Sequence, residues 1–165
     1  MSNYRRVRVS GGTYFFTVNL LERRRRLLVD HVDALRLAFQ DAMRARPFEI
    51  IAIVILPDHL HCVWRLPEGD SDNANRWSQI KTGFSKRLLV DERLSKSRLS
   101  RRERGIWQRR FWERLIADEE DLKNHINYVY INPLKHGYVK RVCDWRYSSF
   151  HRDVKCGVYE NDWAG

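Results

Sequence analysis

The strongest constraint on the fold comes from two apolar segments that stand only two residues apart. Residues 48–56 are apolar at every position except Glu49, and residues 59–66 follow directly after Pro57-Asp58. A short run this rich in Ile and Val is typical of a strand buried on both faces. The two-residue separation then predicts a hairpin, and the continuous apolar pattern of 48–56 predicts a central place for that strand in the sheet.

Hydrophobic periodicity predicts two further strands and three helices in the rest of the chain. Their order, β-α-β-β-α-β-α followed by an irregular tail, predicts an α+β protein with a ferredoxin-like antiparallel sheet (βαββαβ), two helices on one face and an additional C-terminal helix that carries the site. We divide the chain into one domain, 1–137, and a tail, 138–165. The predicted strands are 13–20 and 107–116, and the predicted helices run from Asp30 or Asp33 to about Arg46, from Asn75 or Ser78 through Leu88, and from Asp118 to about Asn132.

The charge of the chain is strongly positive and unevenly distributed. Its net charge is +10 over 165 residues, with +6 in residues 1–46 and +9 in residues 76–116, whereas 47–75 and 117–165 are net −4 and −1. A balance this basic predicts a polyanionic partner, either nucleic acid or an anionic membrane surface. The longest apolar run has seven residues, too short for a membrane span. With no signal-type segment at the start of the chain, we expect a cytoplasmic protein.

Aromatic residues stand among the basic ones in the second positive segment, including Trp77, Trp107 and Phe111. Arginine for phosphates and aromatic rings for unstacked bases are the usual means of binding single strands and loops. The alternative is a solvated basic face with core aromatics, and the presence of two such segments favours nucleic acid. The predicted nucleic-acid-binding residues are Arg23, Arg24, Arg25, Arg26, Lys81, Lys86, Arg87, Arg109 and Arg110.

Two histidines stand two residues apart in the strand 59–66. Because side chains at i and i+2 of a strand point to the same face, His59 and His61 project together, and Leu60 points away from them. Two imidazoles on one face can bind a divalent metal ion. The pattern alone is weak, since two partly exposed strand histidines with no metal fit it equally well.

The last predicted helix carries a line of polar side chains. At about 100° per residue, Asp121, His125, Tyr128 and Asn132 fall on one side, whereas Tyr130 lies about 160° from that line. If a tyrosine of this helix is a nucleophile, the geometry therefore favours Tyr128, with Asn132 as its i+4 neighbour. The alternative makes Tyr128 a boundary aromatic and Asn132 the cap of the helix C-terminus, and both interpretations are open at this point.

These groups suit phosphodiester chemistry. A tyrosine hydroxyl can attack phosphorus and hold the bond energy in a covalent phosphotyrosine. Two histidines and one amide oxygen leave coordination positions open for a phosphate, and Mg²⁺ or Mn²⁺ accepts such mixed ligands.

Three segments in order along the chain resemble one family. His59-Leu60-His61, residues 107–113 (Trp-Gln-Arg-Arg-Phe-Trp-Glu) and residues 128–137 (Tyr-Val-Tyr-Ile-Asn-Pro-Leu-Lys-His-Gly) are similar to the motifs of the REP-associated tyrosine transposases. This family belongs to the HUH superfamily of single-tyrosine transposases. Relatives in insertion sequences often carry Gln where this chain has Asn132, whose side chain still offers an oxygen.

The resemblance implies a site and a substrate. Tyr128 would be the nucleophile, and His59, His61 and Asn132 the metal ligands, with His125 and Asp121 as candidates to support them. The family acts on REP hairpins of single-stranded DNA, which it cleaves and rejoins through a 5′-phosphotyrosine with Mg²⁺ or Mn²⁺. One alternative is a non-catalytic DNA or RNA hairpin-binding protein. Another is a metal-dependent hydrolase of small molecules, and the large positive charge disfavours that hydrolase. The tail is expected to cover the site and to favour a monomer over a dimer.

Overall fold

The computed structural model describes residues 6–165, so the first five residues of the predicted domain lie outside the described part. Four strands form one antiparallel sheet in the order β2-β3-β1-β4. This order is that of the predicted ferredoxin-like sheet, and the fold class is confirmed. The strands are β1 (Thr13–Asn19), β2 (Glu49–Ile55), β3 (His59–Arg65) and β4 (Trp112–Leu115).

Helices cover both faces of the sheet. Trp77 of the third helix stacks on Trp64 of β3 at 4.6 Å between ring centroids, which places that helix and its neighbour α2 on one face. The long helix α5 contacts β2 and β3 from the opposite face. The helices are α1 (Leu27–Asp30), α2 (Val32–Ala45), α3 (Asn73–Lys86), α4 (Lys96–Ser100), α5 (Glu119–Lys135) and α6 (Phe150–Lys155), with a 3-10 turn at Val142–Asp144.

Strand β2 lies at an edge of the sheet, and the prediction of a central position is wrong. Its apolar side chains point to the faces of the sheet, one of which α5 covers, and the tail covers its free edge. The Ile55 N–H donates to the Tyr147 carbonyl, and the Ser149 N–H donates to the Ile53 carbonyl, both at 2.9 Å. The tail therefore protects an edge that would otherwise expose unpaired backbone groups. It is irregular as predicted except for α6 and the 3-10 turn.

Helix α5 continues past Pro133, contrary to the prediction that it ends near Asn132. Proline removes one backbone hydrogen bond but does not prevent the next turn from forming. The helix instead ends at Lys135, and Gly137, which follows the cap residue His136, has φ +73°. The Gly137 N–H donates to Leu134 and the Tyr138 N–H to Pro133, each at 3.0 Å, which is a Schellman motif. Asn132 is therefore an interior helix residue and not a C-terminal cap.

Two other predicted boundaries also move. Strand β4 begins at Trp112 and not at 107: Trp107 forms only an isolated antiparallel bridge with Leu20, and the Gln108 carbonyl accepts from the Lys81 ammonium at 2.9 Å. Helix α3 begins at Asn73 with Asp72 as its cap, whose carboxylate accepts from the Asn75 N–H at 3.0 Å. Among residues 6–165, no helix has both the length and the apolar character that a bilayer crossing requires.

Candidate active site

The face of the sheet that α5 covers carries the two histidines. His59 and His61 are each 4% exposed, and their ring centroids lie 5.0 Å apart. The Tyr128 ring on α5 lies 5.3 Å from the His61 ring and is 41% exposed. The strand and helix periodicities thus bring an accessible phenol beside a buried histidine pair.

Asn132 completes this group one helical turn after Tyr128. Its side-chain amide donates to the Tyr128 carbonyl at 2.8 Å, which holds the side chain against its own helix. Asn132 also makes a side-chain hydrogen bond to His61 that favours the protonated ring, as an accepting amide oxygen does. With 2% of its surface exposed, Asn132 presents this oxygen from within the sheet–α5 interface.

Each histidine is held through its Nδ1 atom. His59 Nδ1 lies 2.7 Å from the Asp58 carboxylate, and His61 Nδ1 lies 2.9 Å from the Thr17 hydroxyl. A contact this short to a carboxylate requires the proton on His59 Nδ1, which leaves the lone pair on Nε2. Outer partners of this kind orient histidines that bind metals.

Burial keeps both rings neutral. Burial, together with the neighbouring His59 and His136, lowers the pKa of His61 to about 3. Burial also lowers the pKa of His59, against the opposing effect of the Asp58 carboxylate. A histidine must be neutral to bind a metal, so the two rings are in the correct state near neutral pH.

The donor set fits a divalent metal ion. Within residues 6–165, no cluster of three His, Cys, Asp or Glu side chains could hold a metal, and the third donor here is an amide oxygen. Two imidazole nitrogens and one oxygen suit Mn²⁺ or Mg²⁺ and leave positions open for a phosphate. His59, His61 and Asn132 are the residues that would hold it.

Four residues that the sequence did not assign to the site also border it. Asp58 and Thr17 hold the histidines, the His136 ring lies 5.2 Å from the His59 ring, and the Lys135 ammonium lies 5.3 Å from the centre of the Tyr128 ring. His136 stands four residues after Asn132, so helical spacing could have identified it if the helix had been extended past Pro133. Thr17 could not have been found, because only the β1–β3 register places it opposite His61.

The two residues predicted to support the metal ligands lie elsewhere. His125 donates to the Asp121 backbone carbonyl at 2.8 Å, and its ring contacts Phe15, not the ligand set. The Asp121 carboxylate accepts from the Ala117 N–H and from Arg114 at the start of α5. In the described part of the chain neither side chain hydrogen-bonds to His59, His61 or Asn132, and Asp58 and Thr17 take that position.

Tyr130 is a structural residue, as its position on the helix predicts. Its hydroxyl contacts Ser149 and Asp153 of the tail, and burial raises its pKa. The tail packs on this side of α5 and on the β2 edge, so the expectation that it covers the site is wrong. Tyr128 stays exposed because it lies on the other side of the helix.

The predicted nucleic-acid-binding residues divide into paired and unpaired cations. Arg23 pairs with Asp58 at 2.6 Å and lies 3.3 Å from His59 Nδ1, so it belongs to the site itself. Arg25 binds Asp91 at 2.8 Å, which ties the first basic segment to the second. Three other predicted residues are also paired: Arg26 with Asp30, Arg87 with Asp41 and Arg109 with Glu103. Lys81 is partly buried and donates to a backbone carbonyl. The remaining three are exposed and have no ion pair within residues 6–165: Arg24, Lys86 and Arg110.

The comparisons with known proteins agree with one another. A Haemophilus influenzae protein named as a REP-associated tyrosine transposase is 51% identical over all of this chain and 94% of its own length. An Escherichia coli K12 protein of the same name is 49% identical over all of this chain and 92% of its own. A solved structure of a REP-associated tyrosine transposase bound to a REP hairpin has a TM-score of 0.87 and 49% identity, over 100% of this chain and 92% of that one. No general family model matches the chain. Full-length identity of this size shows that the chain belongs to the REP-associated tyrosine transposases.

Proposed function

We propose that this transposase binds a DNA hairpin and cuts and rejoins an adjoining single strand through Tyr128. The observation that carries the proposal is the exposed Tyr128 phenol beside His59, His61 and Asn132, all from one chain. Hairpin binding is extended from the hairpin-bound relative. Action on genomic hairpins implies a place at the bacterial nucleoid, in the cytoplasm.

In the proposed reaction, the Tyr128 oxygen attacks a phosphodiester in the strand. The bond from phosphorus to the tyrosine oxygen forms as the bond to the 3′ oxygen breaks, which leaves a 5′-phosphotyrosine and a free 3′-OH. The phenol proton passes to water, and the departing oxygen takes up a proton. Attack by a 3′-OH on the phosphotyrosine rejoins DNA and restores the tyrosine.

The residues around Tyr128 have separate roles in this proposal. The Lys135 ammonium, over the tyrosine ring, places positive charge beside the attacked phosphate. A bound Mg²⁺ or Mn²⁺, held by His59, His61 and Asn132, would polarise the phosphate. Asp58 and Thr17 keep the two histidines oriented for that metal. Because one chain supplies the whole set, we propose a monomer as the active unit, which light scattering of the protein with and without DNA would test.

The test is a covalent-adduct assay with a labelled hairpin that carries single-stranded flanks, in Mg²⁺ or Mn²⁺. We expect an adduct with the wild-type protein and none with Tyr128→Phe. Tyr138→Phe is the matched control, because Tyr138 is also 41% exposed and stands outside the proposed chemistry. An undiminished adduct in Tyr128→Phe refutes the nucleophile. Hairpin binding by the wild type with no adduct in either metal would support the non-catalytic alternative.

A further inference from the structure

A second concave site lies outside the Tyr128 site, on the α3 side of the sheet. It is a cavity of about 770 Å³ between α3 and the segment that leads into β4. This volume falls in the range of roughly 300–1,000 Å³ that is usual for pockets that bind small ligands. The proposed reaction does not use this cavity.

Its lining is strongly positive. Among the described residues that line it, eight are Lys or Arg and only Glu103 is acidic. Glu103 already pairs with Arg98 and Arg109. Lys86, Arg101 and Arg102 line the cavity with no ion pair in the described part of the chain. The cavity therefore favours an anion.

Lys81 is partly buried and has no carboxylate partner within residues 6–165. Its ammonium donates to the Gln108 carbonyl at 2.9 Å and lies 5.4 Å from the centre of the Phe111 ring. Burial and the nearby Arg6 charge lower its pKa to about 8. A phosphate in the cavity would supply the negative charge that Lys81 lacks.

Aromatic rings form the rest of the wall. Trp77, Trp107 and Phe111 line the cavity, and the Arg6 guanidinium stacks over Phe111 at 4.2 Å. The Trp107 indole N–H donates to the Lys81 carbonyl at 3.2 Å. The Trp77 indole N–H, in contrast, is fully buried behind this wall and has no hydrogen-bond partner within residues 6–165. Such N–H groups are rarely left unpaired.

The cavity and the Tyr128 site meet at the β4 edge of the sheet. Phe111 contacts Phe16 and Trp77 on the α3 side. The next residue, Trp112, pairs with Thr17, whose side chain reaches His61 on the α5 side, and Trp112 is 58% exposed. One strand of DNA that crosses this edge could therefore reach both faces.

We infer that this cavity binds one unpaired nucleotide of the cleaved strand, with its base against the partly exposed Phe111 ring and its phosphate at Lys81, Arg101 and Arg102. Base stacking on aromatic rings together with basic contacts to the phosphate is how single strands are held. This inference rests on the proposed function, since it names how the strand is held, and it adds a site on the face of the sheet opposite to the tyrosine.

The test uses tryptophan fluorescence, to which Trp77 and Trp107 contribute among the six tryptophans of the chain, with each of the four deoxynucleoside monophosphates as the probe. We expect saturable binding of at least one of them, weakened about tenfold in Lys81→Met, the equivalent of one charge-assisted contact. Lys155→Met removes the same charge from the exposed surface of α6 and should bind as the wild type does. An Arg101→Gln, Arg102→Gln double variant repeats the test at the exposed rim, where folding is not at risk.

Two further measurements decide the nature of the ligand. Inorganic phosphate should bind far more weakly than the nucleotide; equal binding would mean a site for anions alone and would overturn the assignment. A single-stranded oligonucleotide should displace the mononucleotide, and an abasic substitution at one position should abolish that displacement. If no oligonucleotide displaces the mononucleotide, the cavity serves a free nucleotide, and the inference is wrong. Tyr128→Phe should keep nucleotide binding while it loses the adduct, so failure of the reaction and failure of the cavity are distinguishable.

Discussion

The most direct test of how the site is built is the substitution Asp58→Asn. The Asp58 carboxylate lies 2.7 Å from His59 Nδ1 and 2.6 Å from Arg23 Nε. Burial alone would raise its pKa, but the hydrogen bonds from His59 and Arg23 hold the pKa of Asp58 below its ordinary value, so the group is charged at neutral pH. Asparagine keeps the shape and one acceptor but loses that charge.

The expected effect on metal binding follows from two losses. His59 donates to a neutral oxygen and becomes a weaker ligand, and the Arg23 charge, 3.3 Å from His59 Nδ1, is left uncompensated beside a cation site. Loss of an outer-shell partner typically weakens metal binding by about 10–100-fold, which is about 1.4–2.7 kcal/mol. Arg23→Gln should have the opposite sign, because the carboxylate remains while the competing positive charge is removed.

The measurement is Mn²⁺ titration of the protein without DNA, by calorimetry or by the paramagnetic resonance of free Mn²⁺. The matched control is Asp41→Asn, which removes a carboxylate paired with Arg87 at the same 2.6 Å, far from the histidines. Its Mn²⁺ affinity should equal that of the wild type. If Asp58→Asn bound Mn²⁺ within twofold of the wild type, Asp58 would not support a metal ligand and the reasoning would fail.

Three further outcomes are expected. Arg76 is fully buried and pairs with Asp70 at 2.7 Å. Asp70→Asn should therefore lower the free energy of unfolding in urea by about 3 kcal/mol, because it leaves the buried Arg76 charge without its carboxylate. Arg76→Met should lower it by less, because it removes that charge. Equal losses would contradict this. The pKa of Lys81 is about 8 in the folded protein, against an ordinary value of 10.5. Between pH 8 and 10.5 the unfolded chain binds more protons than the folded one, so the free energy of unfolding of the wild type should rise with pH relative to that of Lys81→Met. A difference between the two proteins that stays constant with pH would count against a buried lysine. Hairpin affinity should fall steeply as salt increases, while cleavage of bound DNA changes less, and a salt-independent affinity would refute the role of the basic segments.

Much of the site could be predicted because it depends on local periodicity. The two-residue repeat of a strand places His59 and His61 on one face whatever the sheet around them. The helical repeat likewise places Tyr128 beside Asn132 and turns Tyr130 away. The structure brings all four predicted residues together for this reason.

The errors arise where long-range packing decides. The apolar sequence of β2 predicts a central strand, yet β2 is an edge strand whose partner is the tail, nearly 100 residues later in the chain. Pro133 predicts the end of α5, but a glycine cap four residues later sets it. The supports of the histidines were assigned to the helix, whereas Thr17 on a neighbouring strand holds His61.

Residue types and their spacing are sufficient to specify the strand and helix patterns, the shared face of each pair of site residues, and the excess of positive charge. Those properties follow from backbone repeats and residue types, which need no partner. Long-range packing, in contrast, brings Arg23 to His59 through Asp58, closes the β2 edge with the tail while Tyr128 stays exposed, and encloses a basic aromatic cavity between α3 and the approach to β4. Each of these depends on which distant segments pack together, and that choice is made by the whole core rather than by local sequence.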